Sequence, residues 1–106
     1  MTEVIKGYKL FRQRTDGTLG SLFFVRKQII PLGVWLEAYG FHKKGYAYRP
    51  GWHCTKHPVA PHLYSKKEPR VWAEVELKGV TELWRPGAQG GLWYIADHMR
   101  VLRVLP

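Results

Sequence analysis

Between Arg70 and Leu77 the chain alternates: Val71, Ala73, Val75 and Leu77 fall on one side of an extended backbone, and Trp72, Glu74 and Glu76 on the other. Successive side chains of a strand point to opposite faces, so this segment predicts a half-buried strand. A half-buried strand needs a sheet, and other segments supply it. Tyr8 to Arg14 has strand character, Asp16-Gly17 marks a turn, and Leu19 to Lys27 carries the apolar run of a second strand. The pair reads as a hairpin with its loop near Thr15 to Gly17. Trp52 to Thr55 reads as extended, Tyr46 to Tyr48 as a brief strand, Val80 to Arg85 as a short one, and Arg100 to Leu105 as a closing one.

Between these segments lie breaks. Ile29 to Leu36 reads as a turn followed by a short strand or a helical turn, and Ala38 to Gly45 as a loop. Arg49-Pro50-Gly51 is a turn signal. Pro58 and Pro61 limit Lys56 to Lys67 to one or two helical turns. Lys78-Gly79 ends the central strand, and Pro86 to Gly91 is a Gly-rich loop. Leu92 to Met99 reads as a short helix, with Trp93, Ile95 and Ala96 apolar and Asp97 and His98 exposed. The expected fold is α+β: a mostly antiparallel β-sheet with one or two short helices, in a single compact domain over residues 1–106. A chain of 106 residues suffices for one domain and is too short for two.

Seventeen Lys and Arg against eight Asp and Glu give a net charge of +9. Such a balance favours polyanions: nucleic acid, nucleotides or an acidic protein face. The cations are spread along the chain rather than gathered in a tail. Hydrophobic residues make up 45%, which argues against disorder. The five Trp and six Tyr suit a half-buried sheet and a ligand pocket alike. One cysteine, Cys54, excludes an internal disulfide and fits a reducing compartment. The opening MTEVIKGYK is mixed and charged, unlike a signal peptide, and no segment has the apolar length of a bilayer span. The expected location is cytoplasmic.

Several residue groups bear on chemistry. His53, Cys54, His57 and His62 lie close in sequence, but their spacing matches no standard zinc pattern and only one thiolate is present; no metal site is expected. Cys54 and His53 are neighbours, so on a strand they face opposite ways, and a Cys/His nucleophile pair would need His57 or His62 to fold back. Glu74 and Glu76 share a strand face; paired carboxylates can divide acid and base roles, though exposed strand glutamates that balance Lys and Arg are commoner. Arg12, beside Phe11 and near Arg14, has the planar fork that grips phosphate. Basic residues interleaved with Tyr and Trp also suit single-stranded nucleic acid, whose bases stack on rings while Lys and Arg follow the phosphates.

Leu10-Phe11-Arg12 resembles the aromatic-Arg start of the first core strand in ADP-ribosyltransferases, with Gln13 where glycine is usual. Gly51-Trp52-His53-Cys54-Thr55, followed by Pro58-Val59-Ala60, is similar to that family's second motif. Arg70 to Leu77 and Met99 to Leu105 resemble its later strands. The segment Arg49-Pro50-Gly51-Trp52-His53-Cys54 also resembles one in small phage and bacterial proteins, with no function attached. The family resemblance implies an enzyme that binds NAD and transfers ADP-ribose to an unknown acceptor. It would place Arg12 on the pyrophosphate or ribose, His53 or Thr55 on the nicotinamide ribose, Trp52 or Trp93 against nicotinamide, and Glu76 or Glu82 at the oxocarbenium-like centre. The alternative is a basic, non-enzymatic binding module for nucleic acid or an acidic protein partner.

Overall fold

The alternation at Arg70 belongs to a longer strand than the sequence suggests. In the computed structural model, which describes residues 3–22, 28–38 and 51–106, six strands occur: β1 (Ile5–Gln13), β2 (Leu19–Gly20), β3 (Trp35–Glu37), β4 (Trp52–Thr55), β5 (Arg70–Trp84) and β6 (Leu92–Val104). Every pairing between them is antiparallel. β1 pairs β5 from Ile5↔Leu77 to Arg12↔Arg70. β5 pairs β6 along nearly its whole length, β6 pairs β4, and β4 returns to β1 at Tyr8↔Thr55. The sheet therefore closes on itself, which leaves fewer free edges. β2 extends the β1 edge and β3 the β6 edge.

β5 makes the closure possible. Fifteen residues of strand would span roughly 50 Å if straight, but the longest dimension of the molecule is 38 Å. The strand coils, aided by a register shift between Glu74 and Val75 and by Gly79 at φ +66°. A Cβ on Gly79 would collide with the Asp97 carboxylate on β6. Here the inward side changes: Ala73, Val75 and Leu77 are buried before Gly79, and Val80 packs on the core after it. On β6 the inward positions likewise pass from Ala96 to Met99 and Val101.

The core lies inside this closed sheet. Phe11, Val75, Leu77, Met99 and Val101 are fully buried, and each contributes about 1.5–3 kcal/mol by leaving water. Lys9 points the same way as its cross-strand partner Ala73. Its Nζ donates to the His53 carbonyl at 2.8 Å, beyond the single β1–β4 rung at Tyr8↔Thr55. The lysine thus supplies a hydrogen bond where the backbone ladder has run out.

The expected α+β class is corrected. Among the described residues there is no α-helix, only two 3₁₀ turns, at Pro61–Leu63 and Gly87–Gln89. Leu92 to Met99, read as a helix, is the first half of β6. Its burial lacks alternation because both faces are covered: Trp93 lies beneath His62 and Arg85, while Tyr94 and Ala96 join the core. Lys78-Gly79 bends the strand instead of ending it, so Val80 to Arg85 continues β5 up to Trp84. The hairpin at Thr15 to Gly17 is present, although among the described residues its second strand pairs with β1 only through Leu19–Gly20. Residues 23–27 of that expected strand, and the segments expected at Tyr46 to Tyr48 and over most of Ala38 to Gly45, lie outside the described residues.

Candidate nucleic-acid interface

Arg12 and Arg70 are direct cross-strand partners at the ends of β1 and β5. Like charges placed opposite each other repel, and Glu68 resolves the conflict. Its Oε2 accepts from Nε and Nη2 of Arg70 at 3.0 and 2.9 Å, and its Oε1 lies 3.6 Å from Arg12 Nε. The Glu68 amide donates to Ser65 Oγ at 3.1 Å, which ties the approach to β5 into a turn. The Gln13 amide donates to the Pro69 carbonyl at 3.0 Å and prolongs the pairing.

Arg14 is held from the other side. Its guanidinium donates to the Leu19 carbonyl at 2.8 Å and to the Gln28 carbonyl at 3.0 Å. It passes over Gly20, where a Cβ would meet it at 2.7 Å, so the glycine makes room for the cation. The adjoining turn is closed by Asp16, whose Oδ1 accepts from the Thr18 amide and hydroxyl at 2.9 and 2.7 Å. Those two bonds hold the Asp16 carboxyl below its ordinary range.

The result is an open groove of about 530 Å³ lined by Arg12, Gln13, Arg14, Thr15, Lys67, Glu68 and Pro69. Lys67 of this lining and its chain neighbour Lys66 are both exposed. Tyr64 lies three residues before Lys67 with 75% of its surface exposed. It sits between two residues tied to the groove: Leu63, whose carbonyl accepts from Arg70, and Ser65, which receives the Glu68 amide. Fixed guanidinium groups, exposed lysines and an open ring can together hold a chain of phosphates and stack an unpaired base.

The residues carried over from the ADP-ribosyltransferase resemblance occupy several separate places. Arg12 lines the groove. Glu76 lies six residues along β5 from Arg70, roughly 20 Å of strand, on a row with Lys6, Arg100 and Trp35; Arg100 donates to it. Glu82 is exposed opposite Tyr94 on the far limb of β5. Thr55 is 1% exposed, and its hydroxyl is engaged with the Tyr8 and His57 carbonyls. Trp52 donates through Nε1 to the Leu36 carbonyl at 3.0 Å and joins β4 to β3. His53 is half-buried on β4 opposite Ile95. Trp93 is 5% exposed, with Nε1 donating to the Gln89 carbonyl at 2.6 Å. Glu74 is gripped by Lys6 at 3.0 Å and Arg103 at 3.2 Å, and the Lys6 hydrogen bond leads in lowering its pKa.

Cys54 is fully buried in the core. Burial pushes its thiol up to about 11, with the Lys9 charge pulling the other way. A thiol held neutral is a poor nucleophile. Among the described residues no three His, Cys, Asp or Glu side chains gather in a metal-binding group. Among the described residues no helix is long and apolar enough to cross a membrane.

Sequence reading named Arg12 as a phosphate fork but missed the rest of the groove. Lys66-Lys67-Glu68-Pro69-Arg70 carries three cations and one acid in five residues, which is the local signal. That it faces Arg12 and Arg14 depends on the β1–β5 register, a long-range property. Comparison with family models, with curated proteins and with solved structures returned no match for the chain.

Proposed function

We propose that the protein is a binding module for single-stranded nucleic acid. Phosphates lie along Arg12, Arg14 and Lys67, and a base stacks on Tyr64. The observation that carries this reading is the groove's make-up. Arg12, Arg14 and Lys67 line it with Glu68 as the one acid among the lining residues. Glu68 is itself shared between Arg70 and Arg12, so the lining keeps a net positive charge. The net charge of +9 adds a favourable long-range field for a polyanion. A duplex hides the faces of its bases, so an exposed ring beside a cationic track favours an unpaired strand.

The test is binding of a labelled oligonucleotide of about 12 nucleotides, within the site sizes of about 4–16 seen for single-strand binders. Affinity should fall as salt rises, and Lys67→Ala and Tyr64→Ala should each weaken binding. Salt-insensitive or absent oligonucleotide binding, together with NAD binding and nicotinamide release, would favour an ADP-ribosyltransferase instead.

A further inference from the structure

Glu68 is the one acid in a groove lined by Arg12, Arg14 and Lys67. Arg14 is pinned by the Leu19 and Gln28 carbonyls, and Lys67 is exposed; both present positive charge to phosphates. Glu68 repels phosphates, because like charges held close together cost energy. A strand lying in the groove therefore turns something other than its backbone toward this carboxylate. The partner a carboxylate accepts is a hydrogen-bond donor, and the donors within a DNA strand are on its bases.

The carboxylate is also aimed. Arg70 donates through Nε and Nη2 to Oε2, at 3.0 and 2.9 Å. Oε1 turns toward Arg12, whose Nε lies 3.6 Å away, an ion-pair contact longer than a hydrogen bond. An ionised carboxylate offers about four acceptor sites and a guanidinium five N–H donors. Glu68 beside Arg12 thus places acceptor next to donor in the lining. Cytosine carries the complementary edge: its N4 amino group donates, and the neighbouring N3 accepts. Carboxylates accept from cytosine N4 in direct base readout. Uracil has the same ring and nearly the same size, but its O4 sets a lone pair against the carboxylate where the amino proton would lie.

We infer that Glu68 is a base-reading residue: the groove prefers bases that carry an exocyclic amino group, cytosine over uracil, with N4 donating to Glu68 and N3 accepting from Arg12. This rests on the proposed single-strand function and adds a base preference to it. A Glu68 that only bridges Arg12 and Arg70 would support the fold without distinguishing one base from another, so base preference separates the two roles.

The experiment compares deoxycytidine and deoxyuridine oligomers of about 12 nucleotides, at neutral pH and one salt concentration, on wild type, Glu68→Gln and Lys67→Ala. Wild type should bind the cytosine strand about 5- to 150-fold more tightly, the range for one well-placed base contact. A strand of N4,N4-dimethylcytosine, which lacks the amino protons, should lose that advantage without any change to the protein. Glu68→Gln, with its fold checked by a denaturant melt, should bind the two strands nearly alike, because an amide can both accept and donate. Lys67→Ala should weaken both strands and keep their ratio. Equal, salt-dependent binding of both strands by wild type overturns the base preference and leaves the groove standing. A cytosine preference that survives dimethylation or Glu68→Gln removes Glu68 as its source. If neither strand binds wild type, the base preference and the underlying nucleic-acid reading both fall.

Discussion

Glu68 accepts two hydrogen bonds from the Arg70 guanidinium on one carboxylate oxygen and faces Arg12 with the other. One carboxylate thereby lets two arginines stand opposite each other on paired strands. Glu68→Ala should cost about 1.5–3 kcal/mol, the range for hydrogen bonds to a charged group. The loss should be larger at low ionic strength, where the Arg12–Arg70 repulsion is least screened. Denaturant melts at two salt concentrations check this; a neutral substitution would show that Arg12 and Arg70 need no mediator.

Gly79 lets β5 turn its inward side over. Its φ of +66° is strained for residues with a Cβ, though Asn tolerates it better. Gly79→Ala should destabilise by about 1–3 kcal/mol and Gly79→Asn by less. Equal losses in the two variants would point to the collision with Asp97 as the dominant cost rather than the backbone.

Phe11 is fully buried, and Phe11→Ala should cost about 3–5 kcal/mol in thermal or denaturant unfolding. A loss below about 1 kcal/mol would contradict its place inside the closed sheet.

Cys54 makes stability depend on alkaline pH. Its folded value of about 11 lies above the ordinary 9.0, so from pH 9 upward the unfolded chain gives up the thiol proton first. The stabilising contribution of the neutral thiol is complete below pH 9 and is lost as pH rises through 11. Lys9 acts oppositely: burial lowers its pKa from 10.5, and the penalty for its buried charge is relieved as pH approaches 10.5. The difference in stability between wild type and Cys54→Ala should therefore shrink from pH 9 to pH 11. In the native state at neutral pH, thiol reagents should label Cys54 only as fast as the protein opens; rapid labelling would contradict its burial.

What the sequence discloses is the local part of this fold. The alternation from Val71 to Leu77 survives because one face of that limb meets the core and the other meets Lys6, Arg100 and Arg103. The signal fails where both faces are covered. Trp93 and Tyr94 are adjacent and both buried, a spacing that imitates a helix. Gly79 reads as a stop because glycine usually interrupts a strand, and nothing local tells a bend from an end. The groove is half legible: Arg12 has a recognisable chemistry, but its meeting with Arg70, Glu68 and Lys67 is fixed by the pairing of β1 with β5. The carried-over transferase positions match in order along the chain, yet order does not bring Arg12, Thr55 and Glu76 together when one lines the groove, one is buried and one is paired with Arg100.

The most direct test of the nucleic-acid reading is the salt dependence of single-strand affinity in wild type and Lys67→Ala. Three phosphates held by Arg12, Arg14 and Lys67 predict a log–log slope of about −2, because each contact on a single strand contributes about −0.7. Lys67→Ala should bind more weakly and make the slope shallower by about 0.7. A flat salt response, or a slope that Lys67→Ala leaves unchanged, would contradict the groove as the binding site.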